Sequence, residues 1–289
     1  MARSVTLHVD THRTAAANCT ATAAPDAVAA TVILPAHNEA AALPTVLSAL
    51  LVVLDVALVE RYEIIVVDDA STDETAAIAS SYPCRLLGHR RRQGKGAAVR
   101  TGLGAACGRF IVIMDADNTY PADAVPRLIA LSDQYDFVRG VRQYSAAHMP
   151  LVNRIGNRVF DTMLKLMCGL EGRDHLSGLY GLRREALQAM DLTAEGFDLE
   201  VEIGIKAHAR RLRATSLPIA YGRRLGEKKL HAWRDGWRIL QRSFALALHD
   251  HPYRQFVPPG CSDDLPQRAT QTAGAIRLLS TEDPLYQGA

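Results

Sequence analysis

The feature that most constrains the fold is the regular alternation of short apolar runs with longer stretches of helical periodicity in the first half of the chain. The apolar runs lie at residues 31–34, 63–67, 84–87 and 110–114. The stretches between them suit helices at about 39–59, 71–81 and 94–106. Because strands that alternate with helices at this spacing form βαβ units, the sequence predicts an α/β protein with a mostly parallel central sheet flanked by helices.

The second half of the chain is less regular. Its periodicity predicts helices at 153–170, 183–190, 200–211 and 230–249, and a strand at 217–221. We expect one domain over 31–250, between a flexible leader at 1–30 and a loosely ordered tail at 251–289. The most apolar stretch, 47–59, is interrupted by Asp55 and is too short to span a bilayer.

Composition excludes several classes of function. The 289 residues include 33 Lys and Arg against 31 Asp and Glu, a formal net charge of +2. Because this balance gives no overall positive field, we expect no nucleic-acid partner. The five cysteines are odd in number and none has CxxC spacing, so the sequence favours neither a zinc site nor a disulfide framework and fits a cytoplasmic setting.

Acidic residues follow two of the predicted strands. Asp115 and Asp117 come directly after the run at 110–114, and Asp68 and Asp69 end the run at 63–67. Since ligands bind at the carboxyl ends of the strands in open sheets of this kind, we expect these carboxylates to converge on one cleft.

The Asp115-Ala116-Asp117 tripeptide has the spacing of a metal site. Residues i and i+2 at a strand end point the same way, so both carboxylates can reach one cation. Mg²⁺ or Mn²⁺ fits best, because hard ions prefer oxygen ligands and also bind diphosphates. Such a tripeptide also arises by chance or at helix caps, but its place after a buried strand favours the interpretation that it binds a metal ion.

The strand at 63–67 leads into a second polar segment. Asp68 can accept hydrogen bonds from a nucleotide base or from ribose hydroxyls. Asp69 could instead be only a turn residue. We interpret Ser71 and Glu74 as a capping box that begins the helix at 71–81.

Two basic loops could bind phosphate. Gly94 and Lys95 begin a predicted helix, and glycine there lets the backbone approach an anion, although the segment is not a Walker A motif. The second loop, at 223–229, carries arginines and lysines suited to a diphosphate leaving group, or is a solvated charge run.

The segment 230–248 has apolar residues at helical spacing with arginines between them. It is either a core-packing helix or an amphipathic helix that makes peripheral contact with a membrane. Its apolar residues are Leu230, Trp233, Trp237, Leu240, Phe244 and Leu248, interleaved with Arg234, Arg238 and Arg242.

Taken in order, these motifs resemble the family 2 glycosyltransferases of the Rossmann-like GT-A fold, in the branch of polyprenyl-phosphate (dolichyl-phosphate) glucose and mannose synthases. The resemblance covers roughly residues 31–245. The motifs are LPAHNE at 34–39, VVDDASTD at 66–73, GKGA at 94–97, MDAD at 114–117, DHLSG at 174–178, Glu202, RRLGEKK at 223–229 and WRDGWR at 233–238.

The resemblance implies roles for individual residues. Residues implied to bind the nucleotide-sugar are Pro35, Ala36, Asn38, Glu39, Asp68, Gly94, Lys95, Asp115, Ala116, Arg223 and Lys229. Asp115 and Asp117 would hold the metal, and Asp117, Asp174, Arg142 and Glu202 are the catalytic candidates. The resemblance also divides the domain into a nucleotide-sugar half at 31–120, an acceptor half at 121–229 and an amphipathic helix at 230–250.

The reaction implied is an inverting, metal-dependent hexosyl transfer from a nucleotide-sugar, with a UDP-sugar favoured and GDP-mannose open. The acceptor would be a polyprenyl phosphate placed by Arg142, and the enzyme would lie in the cytoplasm or at the cytoplasmic membrane face. A hydroxyl of a small molecule is the alternative, and it would need a carboxylate base, with Asp174 first and Glu200 or Glu202 next. A nucleotidyltransferase and a non-catalytic nucleotide-sugar-binding protein are further alternatives.

Overall fold

The computed structural model describes residues 28–58, 61–143, 151–226 and 232–249, and the short strand Leu7–His8. The strands are β1 (Leu7–His8), β2 (Ala30–Ala36), β3 (Tyr62–Asp68), β4 (Arg85–Gly88), β5 (Phe110–Met114), β6 (Phe137–Gln143), β7 (Leu179–Arg183) and β8 (Ala214–Ala220). The helices are α1 (Leu43–Leu58), α2 (Thr75–Ser80), α3 (Lys95–Ala105), α4 (Ala124–Ala130), α5 (Leu151–Cys168), α6 (Arg184–Gln188), α7 (Leu199–Ala209) and α8 (Ala232–His249). A 3₁₀ turn, Leu131–Asp133, follows α4.

These strands form one sheet in the order β1-β4-β3-β2-β5-β7-β6-β8. Among the described strands only β7 is antiparallel to its neighbours, β5 and β6, and the other pairs are parallel. The prediction of a mostly parallel sheet flanked by helices is therefore confirmed.

Helices cover both faces of the sheet, which is why the central strands are apolar on both sides. Leu34 of β2 packs in one buried cluster with α1, α2 and α4. Its neighbour Ile33 packs in a second cluster with α3, α6 and α7. This alternation along one strand fixes which side chains reach each layer.

Strand β2 runs two residues further than predicted, through Pro35 to Ala36. It pairs with β3 over its full length but with β5 only as far as Ile33. The Ala36 carbonyl accepts a hydrogen bond from Asp69 N on the β3 side. Alternate residues of a strand hydrogen-bond to opposite neighbours, so the N–H that Pro35 lacks would have pointed towards β5. Because β5 no longer pairs with β2 at this position, the proline removes no hydrogen bond between strands.

The predicted capping box at 71–74 is wrong. Helix α2 begins at Thr75, and Glu74 makes no side-chain cap. Asp73 accepts the Thr75 amide at 3.0 Å, while the Ser71 hydroxyl bonds to Asp68. Helix α1 likewise starts at Leu43 rather than near 39, because 39–42 form a turn.

The ends of the chain are described only in part. Within the predicted leader, Leu7–His8 pairs with β4 and Ala30 already belongs to β2. The other leader residues before 28 and the predicted tail at 251–289 lie outside the described residues. None of the described helices is long and apolar enough to cross a membrane.

Helix α8 combines a buried face with an exposed aromatic residue. Ile239 and Leu246 pack with Leu164 of α5 and Val201 of α7. Phe244, which the predicted apolar stripe includes, is 56% exposed. The core contact therefore uses a different face from that stripe; the side chains of Trp233 and Trp237 lie outside the description.

Candidate active site

A cavity of about 440 Å³ opens at the carboxyl ends of β2, β3 and β5. Each of these strands is followed by a residue with positive φ: Asn38 (53°), Ala70 (57°) and Asn118 (66°). Such turns reverse the chain sharply and leave the preceding side chains at the sheet edge. Predicted site residues that line the cavity are Pro35, Ala36, Glu39, Gly94, Lys95, Asp115, Ala116 and Asp117.

Asp115 and Asp117 each face a cation. The Lys95 ammonium lies 2.5 Å from Asp115 Oδ1, and the Arg224 guanidinium lies 3.1 Å from Asp117 Oδ2. The other oxygen of Asp117 accepts the Thr119 amide at 3.0 Å. Burial raises the pKa of Asp115, and the charge of Lys95 opposes that rise.

Gly178 leaves room for the Asp115 carboxylate. A Cβ atom at residue 178 would lie 2.1 Å from Asp115 Oδ2. The Gly178 carbonyl also accepts the Asp115 amide at 3.2 Å, and its own amide donates to the Tyr120 hydroxyl at 2.6 Å. Sequence reasoning assigned no role to Gly178, although the DHLSG motif contains it.

Lys95 is the centre of a buried charge cluster. Its ammonium contacts Glu200 as well as Asp115, and it lies 5.9 Å from the Phe197 ring centroid. Burial opposes its charge, but the two carboxylates outweigh that effect and raise the pKa of Lys95 well above its usual value. Oε2 of Glu200 has no hydrogen-bond partner among the described residues, and burial raises the pKa of this carboxyl.

Asp69 organises the loop before α3. It accepts the amides of Gln93 at 2.8 Å and Gly94 at 2.7 Å, and lies 2.7 Å from Nδ1 of His89. Burial opposes ionisation of Asp69, but these hydrogen bonds outweigh it and lower its pKa. Asp69 lines the cavity.

Asp68 and Asn38 lie beside the cavity lining rather than in it. Asp68 accepts the Ser71 amide at 3.2 Å. Oδ1 of Asn38 accepts a hydrogen bond from the backbone amide of Thr72 at 2.7 Å, and the backbone amide of Asn38 donates to the Ser71 hydroxyl at 2.9 Å. These contacts join the β2–α1 and β3–α2 loops, so the structure places both residues where they shape the cavity wall.

The second basic loop presents Arg224 rather than Arg223. The Leu225 amide donates to the Asp117 carbonyl at 3.1 Å. This pairing brings Arg224 to Glu39 (3.5 Å) as well as Asp117, whereas Arg223 is exposed. Lys229 lies outside the described residues.

Arg142 and Asp174 form a buried ion pair that is not part of this cavity lining. Asp174 accepts the backbone amide of Arg142 at 2.9 Å and its Nε at 2.8 Å. The guanidinium also donates to the Leu176 carbonyl at 3.2 Å, and its carbon lies 5.3 Å from the Tyr221 ring centroid. The structure therefore brings these two catalytic candidates together.

Glu202 forms hydrogen bonds and ion pairs within the protein interior and does not line the cavity. Its fully buried carboxylate accepts the amides of Thr193 (3.1 Å) and Ala194 (2.7 Å) and contacts Lys206 (2.7 Å) and Arg242 (3.1 Å). Its place in the chain motif suggested catalysis, but these four partners occupy its oxygens. Glu202 is therefore not among the residues that line the cavity, and its catalytic role stays a prediction.

Comparison with known proteins identifies the family. The sequence model described as "Glycosyl transferase family 2" matches residues 31–190. A dolichyl-phosphate hexose transferase of Haloferax volcanii is 32% identical over 76% of this chain and 94% of its own. A dolichol-phosphate mannosyltransferase of Pyrococcus furiosus is 30% identical, over 69% of this chain and 58% of its own.

A solved structure shares the fold. It is glucosyl-3-phosphoglycerate synthase from Mycobacterium tuberculosis in complex with Mn²⁺, UDP-glucose and phosphoglyceric acid, with a TM-score of 0.61 and 22% identity over 77% of this chain and 79% of its own. The GT-A architecture expected from the motifs is thereby confirmed. The relatives support hexosyl transfer, and the chain belongs to glycosyltransferase family 2.

Proposed function

We propose that the chain is an inverting, metal-dependent hexosyltransferase that moves a sugar from a nucleotide-sugar to a polyprenyl phosphate. One observation carries the donor half of this proposal. Asp115 and Asp117 stand with Lys95 and Arg224 at one edge of a 440 Å³ cavity. That combination offers carboxylates for a cation and fixed positive charges for a diphosphate.

The residues present fit a hard divalent cation. Asp115 and Asp117 offer only oxygen ligands, which suits Mg²⁺ or Mn²⁺. Among the described residues no group of three or more Asp, Glu, His or Cys side chains could hold a metal ion, and Asp115 and Asp117 are the two residues that would hold it. The chemical contribution of the metal when bound is to stabilise negative charge on the departing nucleoside diphosphate.

The chain's own residues supply the rest of the donor chemistry. Lys95 and Arg224 carry fixed positive charge beside the same carboxylates and would stabilise the leaving diphosphate. The loop held by Asp69 presents Gly94 at the start of α3, where backbone can approach an anion. A UDP-sugar is favoured, supported by the bound UDP-glucose of the mycobacterial synthase; the mannosyltransferase relatives keep GDP-mannose as the alternative.

The ion pair of Arg142 and Asp174 favours a phosphate acceptor. A hydroxyl acceptor needs a general base, but Asp174 already accepts several hydrogen bonds from Arg142. A phosphate acceptor is already anionic and needs only cations to place it. Direct attack on the anomeric carbon from the face opposite the diphosphate would then invert its configuration.

A soluble hydroxyl acceptor is the second candidate, and Glu200 supports it. Its Oε2 has no hydrogen-bond partner among the residues that the structure describes, and burial raises the pKa of this carboxyl, which suits a general base. The fold is also shared with a synthase whose complex contains phosphoglyceric acid.

The test is a transfer assay on the full chain. UDP-glucose and GDP-mannose would each be offered with Mn²⁺ or Mg²⁺ to polyprenyl phosphate and to 3-phosphoglycerate. Transfer to the lipid phosphate, lost in Asp117→Ala, is the expected result. Transfer only to 3-phosphoglycerate would replace the acceptor assignment. Tight UDP binding without transfer to any acceptor would favour a binding protein.

A lipid acceptor implies work at a membrane surface. We propose peripheral contact through residues 230–248, at the cytoplasmic face. The exposed Phe244 on α8 supports such contact.

A further inference from the structure

The outward face of α5 carries large apolar side chains that no other described part of the chain covers. Ile155, Val159 and Leu166 are 53%, 65% and 77% exposed. At 3.6 residues per turn these three positions lie within about 40° of one another around the helix axis. Exposed apolar side chains aligned in this way mark an interaction surface rather than scattered surface residues.

The charges of α5 are segregated. Arg158 and Lys165 are exposed and Arg154 is partly exposed, and all three flank the apolar stripe on one side. The sole acidic residue of the helix, Asp161, is turned inward and bonds to His175 at 2.8 Å. On the described exposed face of α5 every charged side chain is therefore basic, and the polar side chain beside the stripe, Thr162, donates its hydroxyl to the Arg158 carbonyl.

We propose that this face, Ile155, Val159 and Leu166 with Arg158 and Lys165, docks on an anionic phospholipid bilayer. Apolar side chains enter the boundary between headgroups and acyl chains, and the flanking cations meet lipid phosphates. The inference deepens the proposed function, because a polyprenyl phosphate is held in a bilayer. It is separate from the contact proposed for 230–248.

The inward side of α5 is connected to the acceptor candidates. Asp161 accepts the backbone amides of Asp174 at 2.8 Å and His175 at 3.1 Å. Asp174 in turn holds Arg142. A docked α5 would thus fix the loop that positions Arg142.

Helix α1 provides a matched control within the same protein. Val52 and Val56 are 65% and 69% exposed, as much as the α5 residues. Their exposed charged neighbour is Asp55, which an anionic surface repels. Each valine of the pair therefore has a fractional exposure similar to that of the α5 residues, but the pair lacks charge complementarity to an anionic surface.

The experiment is sedimentation of the full chain with vesicles of phosphatidylcholine alone or mixed with phosphatidylglycerol. The wild type should bind the anionic vesicles. Ile155→Ser/Val159→Ser/Leu166→Ser should lower the partition coefficient about tenfold or more, and Val52→Ser/Val56→Ser should match the wild type. Arg158→Gln/Lys165→Gln should lose the preference for anionic lipid, and this exposed pair carries the test if the triple variant unfolds.

Three outcomes would overturn the proposal: no binding by the wild type, equal binding by the α5 variants, or an equal loss in the α1 control. If this face instead bound an acidic protein, the wild type would not bind the vesicles. Transfer to a short, water-soluble polyprenyl phosphate separates this inference from the proposed function. Transfer without docking refutes only the docking face, and docking without transfer refutes only the reaction.

Discussion

Gly178 and Asp115 are so close that residue 178 has no room for a side chain: a Cβ atom would lie 2.1 Å from the carboxylate oxygen. Gly178→Ala should therefore displace Asp115 and reduce transfer by about a hundredfold, the scale of a misplacement of about 1 Å in an active site. Initial rates of UDP release with Mn²⁺ measure this. Gly104→Ala is the control, since nothing lies within 4 Å of its added Cβ. Equal rates in the two variants would refute the steric argument.

The charge of Lys95 should stabilise the fold as well as the site. Lys95→Met leaves Asp115 and Glu200 without their shared buried cation, and breaking such a pair costs about 3–5 kcal/mol. Urea unfolding measures the loss in free energy of unfolding. Adding Glu200→Gln to the variant should recover part of it, because one uncompensated carboxylate is then neutral. A double variant less stable than Lys95→Met alone would contradict the shared-cation arrangement.

Arg224 should matter more than its neighbour for binding the diphosphate. Arg224→Gln removes the guanidinium beside Asp117, and we expect UDP affinity with Mn²⁺ to fall about tenfold or more, the range for hydrogen bonds to charged groups. Titration calorimetry would measure it. Arg223→Gln, at an exposed side chain of equal charge, should leave the affinity within about twofold. The reverse order would show that the loop binds through Arg223.

Glu202 should contribute to stability only above acidic pH. Burial opposes its ionisation, but hydrogen bonds from Lys206, Ala194 and Thr193 outweigh it and lower its pKa below 4.5. The contribution of Glu202 to the free energy of unfolding is therefore complete at pH values above 4.5 and is lost as the pH falls through the folded-state pKa. Glu202→Gln should flatten the fall in unfolding free energy over that window, as urea titrations at several pH values would measure. An unchanged slope would mean that Glu202 does not control acid stability.

Asp174 should act by positioning Arg142 rather than as a base. Asp174→Asn weakens the ion pair, so KM for polyprenyl phosphate should rise while the basic and acidic limbs of the pH–rate profile keep their positions. Loss of the acidic limb of kcat would instead identify Asp174 as a general base.

The sequence predicted those parts of the fold that depend on local apolar pattern. β5 has its predicted bounds because all five of its residues are apolar and buried. β6 escaped prediction because Arg139, Gly140 and Arg142 break the pattern. Arg142 can be buried only because Asp174, 32 residues away, neutralises it. β7 and α4 were also missed.

The same reasoning explains why the sequence does not show which of two neighbouring residues lines the cavity. Neighbouring residues at a strand end or in an extended loop point in opposite directions. The sequence contains both Asp68 and Asp69, and both Arg223 and Arg224, but no local signal says which of each pair faces the cavity. The sheet and loop contacts decide it, and they select Asp69 and Arg224 for the cavity lining.

The reversed strand β7 has a thermodynamic consequence. Because it runs against β5, the residues that precede it, 174–178, arrive at the edge where β5 ends, and Gly178 meets Asp115 there. One short segment thus touches Arg142 through Asp174 and the donor carboxylate through Gly178. If acceptor binding shifted this segment, donor affinity would change, and linkage would require the reciprocal effect of equal size. The two substrates of such an enzyme are expected to bind with heterotropic cooperativity.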